Sequence, residues 1–235
     1  MMDRRRFLAL GGLSAAALLA EACDSRGPRS AQSILRWAER ENEGVERFLF
    51  RHTSMDHAAS ARNVAGRMPS YYISRSHPVW DERVRGKWAL EVGGAVARPL
   101  RLTLEDLAKL PHVTQRINHY CVEGWTASTQ FTGVRVSELA RLAGIRPDAG
   151  YADFQSFDSG YHESWDLESA MHPQTLVAFA REGRFLDAWY GAPARVHSPV
   201  KLGYKNTKYL TRVVFMPQRN GGYWSDKGYE WYGGT

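Results

Sequence analysis

At 235 residues, 43% of them hydrophobic and 24% charged, the sequence fits a folded globular protein of one large domain or two small ones. The formal charge is +6, but in the body of the chain Lys and Arg are scattered among acids, which argues against a nucleic-acid-binding protein and leaves anionic small molecules or a membrane surface. The chain holds two cysteines, Cys23 and Cys121, and only Cys121 lies in the folded body, so no disulfide can staple that body.

Residues 1–22 read as an export signal, with Arg4, Arg5 and Arg6 followed by an apolar run from Phe7 and a small-x-small end at Ala20-Glu21-Ala22. The order Arg4-Arg5-x-Phe7-Leu8 resembles the twin-arginine signal, which carries folded proteins across the bacterial inner membrane. It places the mature protein in the periplasm. Cys23 follows Ala22 directly, in a stretch half similar to a lipoprotein processing site. Two alternatives stand there, a lipid anchor at Cys23 and simple cleavage after Ala22, with Glu21 weighing against the lipid. In an oxidising compartment an unpaired Cys121 is a liability unless it is buried or bonded to something.

Residues 23–68 are expected to form an N-terminal helix and a linker. Ile34, Leu35, Trp37, Ala38, Val45, Phe48 and Leu49 recur at helical spacing, and a polar stretch follows to about residue 67. From residue 69 the chain reads as the main domain. "PSYYISRSHP" is extended, since Pro78 disfavours helix before it. Trp88, Leu90 and Val92 alternate as in a strand that ends at Gly93-Gly94. "LTLEDLAKLP" is a short helix capped by Thr103 with Asp106 three residues on and stopped by Pro111. "HVTQRINHYC" alternates again and puts Cys121 at a strand end or in the loop beyond. "RVSELARLAGI" is a second helix, with Ser137 as its cap and Gly144 as its stop. Two strands flank a turn at Asp158-Ser159-Gly160, and "PQTLVAFAREG" is ambiguous between helix and strand. "PARVHSPV" and "KYLTRVVFMP" are strands around the loop "KLGYKNT". No repeat and no GxGxxG or GxxxxGK fingerprint is present. Short strands with few helices imply an α+β domain of mixed sheets, not a doubly wound parallel sheet.

Three segments carry chemistry: "SRSHP" with Arg75 and His77, the surroundings of Cys121, and "GAPARVHSPVKLGYKNTK". The last presents Arg195, Lys205, Asn206, Thr207 and Lys208, donors suited to a phosphate or another anion, unless the loop is a plain solvated turn. In order and spacing these segments, with "HYCVEGW", "FTGVRVSELARLAG" and "GYW", resemble the sulfite oxidase family of molybdenum enzymes. Within it they are most similar to the branch of periplasmic methionine-sulfoxide reductase catalytic subunits.

That resemblance implies a sulfite oxidase-type molybdopterin-binding fold and a molybdenum ion held by molybdopterin, in its plain form, and by the thiolate of Cys121. It further implies Arg75, His77, Ser156, Asp158, Tyr190, Arg195, Asn206, Thr207 and Lys208 as cofactor contacts. Tyr190 departs from the Asn or His of relatives, and "SYYISRSHP" departs from the Asn-rich segment of the reductase branch. His119, Glu123, Trp125, Arg116 and Tyr161 are candidates to orient substrate or move protons. The implied reaction is oxygen-atom transfer at a sulfur centre. The sequence holds no CxxCH haem motif, so the implied electron partner is separate, a membrane haem protein or a cytochrome. Two other readings stand beside this one: a cysteine hydrolase or thiol enzyme using Cys121 with a histidine, and a periplasmic binding protein without catalysis.

Overall fold

The computed structural model describes residues 32–50, 54–56 and 68–235. The expected export signal, Cys23 and most of the linker lie outside these residues. The chain divides into a unit ending at Leu49 and a unit running from Phe50 to Thr235. In the first, helix α1 (Gln32–Leu49) occupies the stretch where helical spacing predicts it. Among the described residues no helix is long and apolar enough to cross a membrane.

The second unit contains a short helix α2 (Glu82–Arg85) and then two sheets. The first sheet joins β1 (Ala89–Gly94), β2 (Leu100–Thr103), β5 (Tyr151–Ser156), β6 (His162–Asp166) and β10 (Leu210–Met216). Its order is β2-β1-β10-β5-β6, with β1 and β10 parallel and every other pair antiparallel. The second sheet runs β3 (Val113–Tyr120), β4 (Thr126–Arg135), β7 (Leu176–Arg181) and β8 (Arg184–Phe185), and β9 (Arg195–His197) also pairs with β7. Helices α3 (Leu104–Lys109), α4 (Val136–Ala143) and α5 (Leu167–Ala170) are short. This is the α+β architecture of mixed sheets and short helices that the sequence pattern implies.

The main core lies between the sheets. Leu90, Val92, Phe154, Val213 and Phe215 from the first meet Val134, Val177 and Val196 from the second, with Leu139 of α4 closing one side. Burying each such side chain contributes about 1.5–3 kcal/mol. A smaller cluster around Met68, Phe131, Leu186 and Tyr190 lies under the 68–74 segment and supports the cleft described below.

Helix ends follow local chemistry. Thr103 and Asp106 form a reciprocal capping box at α3, as their spacing predicts. Gly144, at φ 68°, ends α4 in the left-handed conformation that glycine adopts without a Cβ penalty. Ser137, however, is not the cap of α4. Strand β4 runs straight into that helix at Val136, whose N–H donates to the Thr175 carbonyl oxygen at 3.1 Å, so tertiary pairing replaces a side-chain cap. The ambiguous stretch resolves as β7, because both of its faces are covered and Leu176 to Ala180 are all buried.

Gly133 sits at a register shift between β4 and β7, and a Cβ there would meet the Val177 carbonyl and lie 2.6 Å from Ala178 Cα. Gly133→Ala is therefore expected to cost about 2–3 kcal/mol of stability, read as a lower urea midpoint. A midpoint equal to wild type would show that the two strands part easily.

Candidate functional site

The β3–β4 ladder pairs as far as Tyr120 with Thr126, leaving five residues to turn the chain. Cys121 opens that turn. Its N–H donates to the Trp125 carbonyl at 2.9 Å and its carbonyl accepts from Gly124 N–H, also at 2.9 Å, with Gly124 at φ 87°. The turn holds the half-buried thiol at the head of a cleft of about 230 Å³. Burial pushes the thiol pKa up, while the backbone N–H groups of Glu123 and Val122 act in the opposite sense and favour the thiolate.

One wall is the irregular segment 68–74, which is tied to three other parts of the fold. Trp189 Nε1 donates to the Met68 carbonyl at 2.9 Å, Ser70 Oγ donates to the Trp189 carbonyl, and Lys208 Nζ donates to Ser70 Oγ at 2.7 Å. Asp158, 2% exposed, accepts from Ile73 N at 2.8 Å and Ser74 N at 3.0 Å and from the Ser74 hydroxyl. Tyr71 Oη donates to Glu123 Oε2 at 2.7 Å, joining this wall to the cysteine turn.

The opposite wall comes from the loop between β9 and β10. Asn206 holds it in shape: its Oδ1 accepts from Ser198 N at 2.6 Å and its Nδ2 donates to the carbonyls of Lys201 and Leu202. Arg195, 3% exposed, donates among the described residues to the carbonyls of Val196, Tyr190 and Asn206. Among the described residues neither Arg195 nor Lys208 has a carboxylate within ion-pair distance. Desolvation lowers the Arg195 pKa to about 10, and desolvation followed by the Arg195 charge lowers that of Lys208 to about 7. Two buried cations facing one cleft with no direct ion pair, and with only Asp158 acting on Lys208 from a distance, are costly unless an anion joins them.

Seven of the ten residues expected to bind metal or cofactor line the cleft: Cys121, Ser156, Asp158, Tyr190, Arg195, Asn206 and Lys208. Arg75, His77 and Thr207 do not. Arg75 is exposed, just past the segment held by Asp158. The His77 ring packs behind the wall, 4.2 Å from Tyr72 and 4.8 Å from Trp189 between centroids. Thr207 turns its hydroxyl into the interior, and its carbonyl accepts from Val196 N. Lys205 is also withdrawn, fully buried against Glu163 at 2.7 Å, so it braces the loop and does not face an anion. Of the residues considered near Cys121, His119, Glu123, Trp125 and Tyr161 line the cleft, whereas Arg116 lies elsewhere, paired with Glu182 at 2.6 Å. Sequence reasoning missed Ser70, Trp189, Tyr204, Trp224 and Tyr229. The aromatic pairs of "PSYY" and the C-terminal "GYWSDKGYEWY" are the only signal that marks such walls.

The family model of the oxidoreductase molybdopterin binding domain matches residues 76–224. The chain is 36% identical over 239 residues to a putative protein-methionine-sulfoxide reductase subunit YedZ1 of Azospira oryzae, covering 98% of this chain and 86% of that protein. It is 28% identical to the protein-methionine-sulfoxide reductase catalytic subunit MsrP of Ralstonia nicotianae, covering 92% of this chain and 70% of that one. The sulfane dehydrogenase SoxCD of Paracoccus pantotrophus shares the fold at a TM-score of 0.56 and 18% identity, over 71% of this chain and 57% of that chain. The cleft fits such a cofactor, because a soft thiol lines the same cleft as Arg195 and Lys208, which make no ion pair among the described residues and suit an anionic pterin. The chain belongs to the molybdopterin-binding oxidoreductases of the sulfite oxidase type, enzymes that carry molybdenum on molybdopterin.

Proposed function

We propose that this chain is a periplasmic oxidoreductase that transfers an oxygen atom at a sulfur centre, acting as a sulfoxide reductase, with Cys121 as the protein ligand of molybdenum. The observation that carries this reading is the half-buried Cys121 thiol in a cleft whose wall holds Arg195 and Lys208, neither of them in an ion pair among the described residues. Among the described residues no group of three or more His, Cys, Asp or Glu could hold a metal ion, which suits a metal whose remaining donors come from the pterin. The names of the relatives in Azospira and Ralstonia support the sulfur substrate and the reductive direction.

The bound cofactor supplies two-electron chemistry coupled to movement of an oxygen atom. The chain's residues prepare the place for it. The N–H groups beside Cys121 favour its thiolate, Arg195 and Lys208 attract the anionic part of the cofactor, and Trp125, Trp189 and Tyr190 keep bulk water from the walls. Tyr161 donates to the Tyr204 carbonyl, and desolvation raises its pKa well, so it stays a neutral phenol. Electrons arrive from a separate haem protein or cytochrome. A thiol-hydrolase reading gains no support from geometry: no hydrogen bond joins His119 to Cys121, and burial lowers the His119 pKa to about 3.

Purified full-length protein is expected to contain equimolar molybdenum and pterin and to reduce methionine sulfoxide with an artificial electron donor. Cys121→Ser should lose at least about 100-fold in activity and most of its metal. Full molybdenum content in that variant would refute the ligand assignment. Replacing Arg4 and Arg5 by Lys is expected to hold the protein in the cytoplasm, and unchanged export would remove the twin-arginine reading.

Lys208 gives a pH test. Its folded pKa of about 7 lies below the usual 10.5, so between these values the unfolded chain binds more protons and stability rises with pH. The cofactor-free protein should melt roughly 5 °C higher at pH 9 than at pH 7. Lys208→Met should remove most of that rise, and an unchanged slope would show that Lys208 is not the buried cation responsible.

A further inference from the structure

The charge of the cleft is polarised. Its buried wall carries Arg195 and Lys208, whereas its rim carries a carboxylate, Glu123, two residues from Cys121. The other carboxylate lining the cleft, Asp158, is buried, held by the 73–74 segment, and its charge acts on Lys208. Glu123 is exposed instead. Its Oε2 accepts from Tyr71 Oη at 2.7 Å and from Trp125 Nε1 at 3.0 Å, and no Lys, Arg or His lies within ion-pair distance among the described residues. Two neutral donors, Tyr71 from the 68–74 wall and Trp125 from the cysteine turn itself, therefore hold a net negative charge at the exposed edge of the cleft, two residues from Cys121.

We propose that Glu123 is a specificity-determining residue, its carboxylate on the rim disfavouring anionic sulfur substrates such as sulfite relative to neutral sulfoxides. This rests on the oxygen-transfer reading above. A neutral sulfoxide meets no repulsion at the rim. An anion meets a like charge in a narrow cleft whose buried cations are taken by the cofactor. Because Glu123 is exposed, the repulsion is partly screened and falls as salt is added.

Glu123→Gln separates charge from shape, since the amide oxygen still accepts from Tyr71 and Trp125. The probe is sulfate, a redox-inert dianion, titrated into the holoenzyme and followed by tryptophan fluorescence, with Trp125 in the cleft as reporter. At low ionic strength Glu123→Gln is expected to bind sulfate about tenfold more tightly than wild type, with the difference nearly gone at about 0.5 M salt. In turnover, the ratio of kcat/KM for sulfite to that for methionine sulfoxide should rise by a similar factor, mainly through KM for sulfite. Equal sulfate affinity at low salt, or a difference that salt does not reduce, would overturn the proposal. The titration needs no turnover, so an enzyme inactive on both substrates would sink the oxygen-transfer reading while the titration still decides the role of Glu123.

Discussion

The arrangement of the cleft depends on one electrostatic constraint: Arg195 is buried on its wall, hydrogen-bonded to backbone carbonyls and, among the described residues, to no carboxylate. A buried guanidinium without a carboxylate weighs against the fold by several kcal/mol, and the carbonyl dipoles of Val196, Tyr190 and Asn206 offset only part of this. The Asn206 side chain and the buried Lys205–Glu163 pair hold the loop that supplies one of those carbonyls. Lys208 follows on the same loop, its ammonium group bonded to Ser70 on the facing wall. On the proposed reading, the same surroundings that make these cations costly would make them strong recognisers of an anionic cofactor.

A second constraint fixes the sulfur. The β3–β4 pairing leaves Cys121 at the first position of a tight turn, and Gly124 supplies the positive φ that closes it. The thiol position is thus set by a sheet, which is stiffer than a free loop. The wall opposite is irregular chain, yet Trp189, Lys208, Asp158 and Glu123 tie it down at both ends and in the middle. On the proposed reading, cofactor and substrate recognition occupy different depths of one cleft, with Arg195 and Lys208 on its buried wall and Glu123 at its exposed edge.

Much of this was legible in the sequence where a single local rule decides. The Thr103–Asp106 capping box, the glycine stop at Gly144 and the alternation of Trp88, Leu90 and Val92 all appear in the fold as their spacing predicts. Strand β4 was not legible, because Ser128, Gln130 and Thr132 dilute its apolar positions even though Ala127, Thr129, Phe131 and Gly133 face inward in strict alternation. Ser137 looked like a cap because tertiary pairing at Val136 cannot be read from spacing. The loop "YKNTK" was rightly marked as special, but its residues divide the work: Lys208 faces the cleft, Asn206 shapes the backbone, and Lys205 and Thr207 turn inward. Sequence reveals which donors are near one another, and only the fold decides which way each one points.

The claim that Cys121 binds the metal is tested most directly by molybdenum X-ray absorption on the purified full-length protein. The account predicts three sulfur neighbours, two from the pterin dithiolene and one from Cys121. Two sulfur neighbours in a fully loaded, active enzyme would contradict it.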